Sequence, residues 1–188
     1  MINPESSHNK QELRRKIRRH LRDAPLDEGS VYEATRQWLA ARPALRTVAL
    51  YAALPGEVNL LPLVTWDPSR CWVFPRVCGD ALVLHEVRDP GHDLVRGSFN
   101  IREPSPALPV VQVSAVEVFL CPGLAFDGKG GRLGRGRGCY DRMLAMARPG
   151  AIKVGICHAV QRIKDTFPAP HDVPMDEVIS GPARPPAA

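Results

Sequence analysis

Paired cysteines, aromatic side chains and long apolar runs are scarce in this sequence, and each scarcity closes off a class of protein. The cysteines are five (Cys71, Cys78, Cys121, Cys139 and Cys157), an odd number with no C-x-x-C spacing among them. Neither a disulfide framework nor a zinc site is indicated, and a reducing compartment is. The start of the chain has no apolar stretch of the signal-peptide kind. The longest apolar run, 48–55, is too short to span a bilayer. A cytoplasmic protein with no membrane partner is therefore expected. Aromatic residues make up 6% of the chain, so the core is expected to be mostly aliphatic.

What is present narrows the reading further. At 188 residues and 44% hydrophobic content, the chain is expected to form a single domain, 1–188, with loose tails at 1–9 and 181–188. The 19 prolines fall between recurring apolar segments and indicate short, rigid connections. The formal net charge of +5 is local. Lys10, Arg14, Arg15, Lys16, Arg18, Arg19 and Arg22 face only Glu5 and Glu12 in residues 1–22, and the remainder carries 18 positive and 18 negative residues. Such a terminus suits nucleic acid, a membrane surface or a polyanionic substrate.

Hydrophobic periodicity gives a coarse element map. Leu13, Ile17 and Leu21 recur every fourth position and predict an amphipathic helix over 10–23. Ser30-Val-Tyr-Glu33 reads as a capping box opening a second helix that stops before Pro43. Strands are predicted at 47–53, 71–74, 81–87, 116–120, 153–157 and 177–179. Helices are predicted at 59–66, 140–147 and 159–167, and 88–114 reads mostly as loop. Alternating helices and strands imply a layered α/β domain around a largely parallel sheet.

The chemistry concentrates in Asp127-Gly-Lys-Gly-Gly-Arg132-Leu133-Gly134-Arg135-Gly136-Arg137-Gly138-Cys139-Tyr140-Asp141. Glycines at 134, 136 and 138 permit positive φ and close backbone approach, so successive N–H groups can face an anion. The following helix adds free N–H groups, and Arg132, Arg135 and Arg137 add forked donors suited to phosphate. The pattern misses the P-loop, because Arg137 and Gly138 stand where Lys and Ser/Thr belong. It also misses the dinucleotide fingerprint, whose last glycine is replaced by Cys139. A solvated basic loop or an RNA-binding Gly/Arg segment is the alternative. The flanking strand and helix favour a polyphosphate cradle. Asp141 fits either a Mg²⁺ ligand beside phosphates or a first-turn carboxylate offsetting the helix dipole. Asp127 fits a second ligand or a turn residue.

These residues carry a resemblance. Pro122-Gly-Leu-Ala-Phe-Asp127 followed by the 132–141 stretch resembles the signature of 5-formyltetrahydrofolate cyclo-ligases. Lys10-x-x-x-Arg14, Glu57 after Tyr51-Ala-Ala-Leu-Pro-Gly, Phe74-Pro-Arg76, Asn100-Ile-x-Glu-Pro104 and Pro170-His-Asp-Val-Pro-Met-Asp176 extend it over most of the chain. The resemblance implies a three-layer α/β/α sandwich with a mostly parallel, Rossmann-like sheet. It implies conversion of 5-formyltetrahydrofolate to 5,10-methenyltetrahydrofolate, with ATP as co-substrate and Mg²⁺. In the implied route the formyl oxygen attacks the γ-phosphate, N10 attacks the phosphorylated imidate carbon, and phosphate leaves. No protein nucleophile is required.

Roles follow residue by residue from the resemblance. Lys10, Arg14 and the run Arg132 to Tyr140 are implied to hold ATP. Arg135, Arg137 and Tyr140 are implied at the reacting groups. Glu57, Phe99, Glu103, Arg135 and Cys139 are implied to meet the folate, which can carry a polyglutamate tail. Asp141 and Asp176 are implied to bind the metal. Arg15, Lys16, Arg18 and Arg19 read as a solvated face, and His158 and His171 as structural. Cys139 departs from the family, which usually has an aromatic there, and Arg102 stands where Pro is common. The chain is expected to be a monomer without a nucleic-acid partner. The rivals are an RNA-binding protein and an isomerase on the same fold that consumes no ATP. Against RNA, no aromatics interleave with the basic residues of the first helix.

Overall fold

A computed structural model describes residues 4–24, 26–97 and 101–182. In chain order its elements are α1 (Pro4–Asp23), α2 (Glu28–Ala40), β1 (Thr47–Ala49), α3 (Pro62–Trp66), β2 (Cys71–Cys78), β3 (Ala81–Glu86), α4 (Pro90–Asp93), β4 (Leu94–Arg96), β5 (Arg102–Pro104) and β6 (Val110–Val111). There follow β7 (Val118–Pro122), β8 (Ala125–Phe126), β9 (Arg132–Leu133), α5 (Cys139–Leu144), β10 (Ile152–Cys157) and β11 (Glu177–Ser180).

Seven strands form the main sheet in the order β11-β10-β7-β1-β2-β3-β6. The five strands from β11 to β2 pair in parallel, and β3 and β6 add antiparallel at one edge. Successive strand residues point to opposite faces. Val48 and Leu50 accordingly join a cluster with Val31 and Leu39 of α2 and Leu63 and Val64 of α3. Ala49 between them joins the opposite cluster, with Met143 and Leu144 of α5. The result is the expected three-layer α/β/α sandwich. Its core is largely aliphatic, with Trp72, Phe74, Phe119 and Phe126 among its largest fully buried side chains. All five cysteines are free. Among the described residues no helix is long and apolar enough to cross a membrane.

Several predicted boundaries are corrected. The first helix begins at Pro4, so part of the expected tail 1–9 is helical. Proline suits a first turn because its missing N–H needs no partner there. The second helix is capped by Asp27, not Ser30: Asp27 accepts from the Ser30 N–H at 3.0 Å and from its hydroxyl at 2.6 Å. Glu33 turns instead to Arg36 and Gln37. The strand expected over 47–53 ends at Ala49, because Pro55 and Gly56 (φ +83°) turn the chain and the Tyr51 hydroxyl donates to Val58 O at 2.9 Å. The short helix expected over 59–66 starts only at Pro62. The strand at 71–74 runs on to Cys78, where Gly79-Asp80 makes a two-residue hairpin into β3. The segment 88–114 contains α4, the β4–β5 hairpin and β6 rather than loop alone.

The helix expected over 159–167 is only a 3₁₀ turn, Ala159–Gln161. Its would-be helical donors go elsewhere. Ile163 N–H donates to Phe126 O at 2.9 Å, and the Thr166 N–H and hydroxyl both donate to Asp127.

Candidate active site

A cleft of about 580 Å³ opens at the carboxyl ends of β1 and β7, two adjacent central strands. That is where ligands bind in parallel α/β sheets. One wall is α1, whose apolar stripe Leu13, Ile17 and Leu21 packs on Leu124, Ala125 and Leu133 of the β8–β9 hairpin. The packing turns Lys10 and Arg14 toward the Gly/Arg loop, and Arg14 Nε donates to Gly134 O at 2.9 Å. Burial, followed by the neighbouring Arg18, lowers the Arg14 pKa against the opposing pull of Asp172.

The loop is anchored from below. The Asp127 carboxylate accepts from the N–H groups of Lys129 (2.8 Å), Gly131 (2.9 Å) and Thr166 (3.0 Å) and from the Thr166 hydroxyl (2.6 Å). Burial pushes the Asp127 pKa up, but these donors outweigh it and hold the group below its ordinary value. Asp127 is thus the turn residue and not a free metal ligand. Beyond β9, Gly136 (φ +111°) and Gly138 (φ +66°) take left-handed conformations that side chains resist. The helix that follows, α5, is only six residues long.

Three ion pairs organise the charges. Lys10 Nζ bonds to Asp172. Arg135 donates through Nε (3.1 Å) and Nη2 (2.8 Å) to Glu57 Oε1, while Glu57 Oε2 accepts from Leu54 N–H at 3.0 Å. Arg132 is buried, donates to Asp141 Oδ1 at 2.9 Å and lies 5.2 Å over the Tyr140 ring. Withdrawal from water pushes the Tyr140 phenol well above its ordinary pKa. Arg137 is at the rim, 3.9 Å from Asp80. Cys139 Sγ lies 3.6 Å from Arg142 Nη2.

The cleft brings together Lys10, Arg14, Glu57, Glu103 and the whole run Arg132 to Asp141. Asp176 does not line it. Its carboxylate accepts from the Lys153 N–H (2.7 Å) and Nζ (3.0 Å) at the amino end of β11. Phe99 lies outside the described residues. Asp141 lines the cleft beside the Gly/Arg loop, and Asp176 lies outside it. Burial pushes the Cys121 thiol up to about 12; Arg132 and Lys153 oppose this, and both carboxylates add to it. Each spends one oxygen inside the protein, Asp141 Oδ1 and Asp176 Oδ2. Among the described residues no group of three or more His, Cys, Asp or Glu is placed to hold a metal. Asp141, beside the Gly/Arg loop, suits a hard cation that takes one carboxylate and completes its shell with phosphate and water.

Sequence reasoning missed Asp172, the partner of Lys10, although it lies in the quoted Pro170–Asp176 motif. Arg15 and Arg18 are exposed, as the solvated reading expects, and border a shallow groove with Arg14, Arg135 and Arg137. His171 lines the cleft; His158 does not.

Comparison with known proteins relates the chain to one family. The 5-formyltetrahydrofolate cyclo-ligase family matches over residues 6–181. A 5-formyltetrahydrofolate cyclo-ligase of Mycolicibacterium smegmatis is 33% identical over 93% of this chain and 95% of that protein. One from Escherichia coli is 30% identical over 71% and 77%. The NMR structure of Aquifex aeolicus 5,10-methenyltetrahydrofolate synthetase superposes with a TM-score of 0.78 at 31% identity, covering 91% of this chain and 89% of that one. The Mycoplasma pneumoniae synthetase shares the fold, with a TM-score of 0.75 at 22% identity over 90% and 97%.

Proposed function

This chain belongs to the 5-formyltetrahydrofolate cyclo-ligase family, and we propose that it uses ATP and Mg²⁺ to close 5-formyltetrahydrofolate into 5,10-methenyltetrahydrofolate. The observation that carries the reading is one cleft joining the Gly/Arg loop, the basic face of α1 and the Glu57 carboxylate. The loop and α1 suit a triphosphate, and the carboxylate suits a ring rich in N–H groups.

The formyl oxygen of the folate attacks the γ-phosphorus of ATP, and the bond to the ADP oxygen breaks. N10 then attacks the activated carbon and gives up its proton, and the former formyl oxygen leaves on phosphate, which can take that proton. The chain contributes position and charge. Lys10, Arg14 and the N–H groups around Gly134 to Gly138 hold the triphosphate. Arg135 and Arg137 donate to the transferring phosphoryl oxygens, and Tyr140 packs beside them. Arg135 starts on Glu57, so the two substrates compete for or share that pair. Arg132 keeps Asp141 in place from beneath. Asp141 would hold Mg²⁺, which when bound neutralises phosphate charge, whereas Asp176 stays on Lys153 outside the cleft.

Purified protein given 5-formyltetrahydrofolate should develop the methenyl chromophore only when ATP and Mg²⁺ are both present. Equal turnover without ATP, or folded protein with no turnover, would remove the proposal. An isomerase that consumes no ATP would give the second of these outcomes.

A further inference from the structure

The carboxylates of the cleft serve different neighbours. Glu57 holds Arg135, Asp141 holds Arg132, and Glu103 is buried with neither oxygen hydrogen-bonded among the described residues. Asp172 is paired with Lys10 of α1, 162 positions away in the chain. Both side chains line the cleft and are largely withdrawn from solvent, at 12% exposure for Lys10 and 15% for Asp172.

Asp172 is anchored independently of Lys10. Its Oδ2 accepts from the Ala169 N–H at 2.8 Å, and its own N–H donates to Ala169 O at 2.9 Å, which closes a turn over 169–172. The residues that follow tie this turn to the Gly/Arg loop. Val173 N–H donates to Asp141 Oδ1 at 3.4 Å, and Met175 N–H donates to Gly130 O at 2.8 Å. Burial pushes the Asp172 carboxyl up, but the Lys10 hydrogen bond and the Ala169 N–H outweigh it and hold the group below its ordinary pKa. The carboxylate is therefore charged at neutral pH, and the helix it faces is crowded with cations. Lys10, Arg14 and Arg18 follow at four-residue steps on α1, a spacing at which like charges repel. Burial and then Arg18 lower the Arg14 pKa, and Asp172 is the group that opposes them.

We infer that Asp172 is a positioning residue for the triphosphate: it tethers the Lys10 ammonium inside the cleft and, being anchored itself, decides where that ammonium stands. The inference rests on the proposed function. An untethered lysine spreads over many rotamers, and ordering it on binding costs affinity. An ammonium has three N–H groups, so one bond to Asp172 leaves two for phosphate oxygens. Charge alone argues the other way, because removing the carboxylate adds one positive charge to the cleft and would draw ATP in. Tethering predicts the opposite sign.

The test is ATP binding to the full chain, by calorimetry without folate, in a double-mutant cycle on Lys10 and Asp172. Asp172→Asn keeps an acceptor for the Ala169 N–H and removes the charge that fixes Lys10. It should weaken ATP about 3- to 10-fold, the effect of immobilising one long side chain on binding. Affinity for 5-formyltetrahydrofolate alone should stay nearly unchanged. Lys10→Met should weaken ATP at least as much, and the double variant should bind no more weakly than Lys10→Met, since the tether then has nothing to hold. Tighter ATP binding by Asp172→Asn would mean that the carboxylate only repels the nucleotide, and unchanged binding that it does not act on ATP at all. Losses that multiply in the double variant would mean that it acts other than through Lys10, and an equal loss of folate affinity that it only holds the fold. Each of these overturns the inference. Should Asp172→Asn fail to fold, Asp172→Ser, whose hydroxyl can still accept from Ala169, carries the same cycle with the same criteria. Any of these results with ATP bound by wild-type protein refutes this inference alone. Folded wild-type protein that binds no ATP refutes the proposed function with it.

Discussion

Arg132 and Arg135 stand three positions apart in one loop and have opposite surroundings. Arg132 is 3% exposed at its side chain and paired with Asp141, while Arg135 is 39% exposed and reaches across to Glu57. Breaking a buried pair leaves the partner charge stranded and costs about 3–5 kcal/mol, whereas an exposed pair contributes about 0–1 kcal/mol. Arg132→Met should therefore lower unfolding stability by about 3 kcal/mol or more in a denaturant titration. Arg135→Met should leave stability nearly unchanged and raise the KM for ATP. Comparable destabilisation by both would show that the division of labour is wrong. The sequence marks all three arginines of the loop as phosphate donors, because glycine spacing says nothing of which side chain turns inward. The orphaned oxygens of Glu103 and the Lys10–Asp172 pair are invisible there for the same reason: they depend on residues brought together from distant positions.

At the scale of elements, the Gly/Arg loop is held by α1 above and by Asp127 below. The α1 contact was legible, since a four-residue apolar repeat must find a surface to cover. The 159–167 segment was not. Its local pattern favours a helix, but Phe126 O and the Asp127 carboxylate take its donors, a tertiary override of propensity. Asp127 is depressed in the fold, so its stabilisation is present above the ordinary carboxylate pKa near 4 and is lost as pH falls through the lower folded-state value. Asp127→Asn should cost about 2–3 kcal/mol at pH 7, because the amide turns donors toward donors. The difference between wild type and variant should shrink below about pH 4. A difference that stays constant down to pH 2 would contradict the role given to this carboxylate.

The whole molecule places its chemistry by topology. Parallel central strands end together, and the loops after β1 and β7 meet over them. The layered α/β class was readable from alternating elements, and the parallel order follows from crossovers of that length. The antiparallel edge of β3 and β6 was not, because the hairpin turn at Gly79-Asp80 is a matter of two residues. On the proposed function, the cleft sets the formyl oxygen against the γ-phosphate so that this oxygen leaves on phosphate. Single-turnover reaction of 5-formyltetrahydrofolate labelled with ¹⁸O in the formyl group, with ATP and Mg²⁺, tests it most directly by mass analysis of the released phosphate. One ¹⁸O is expected in each phosphate, and methenyl product with unlabelled phosphate would contradict transfer of the formyl oxygen.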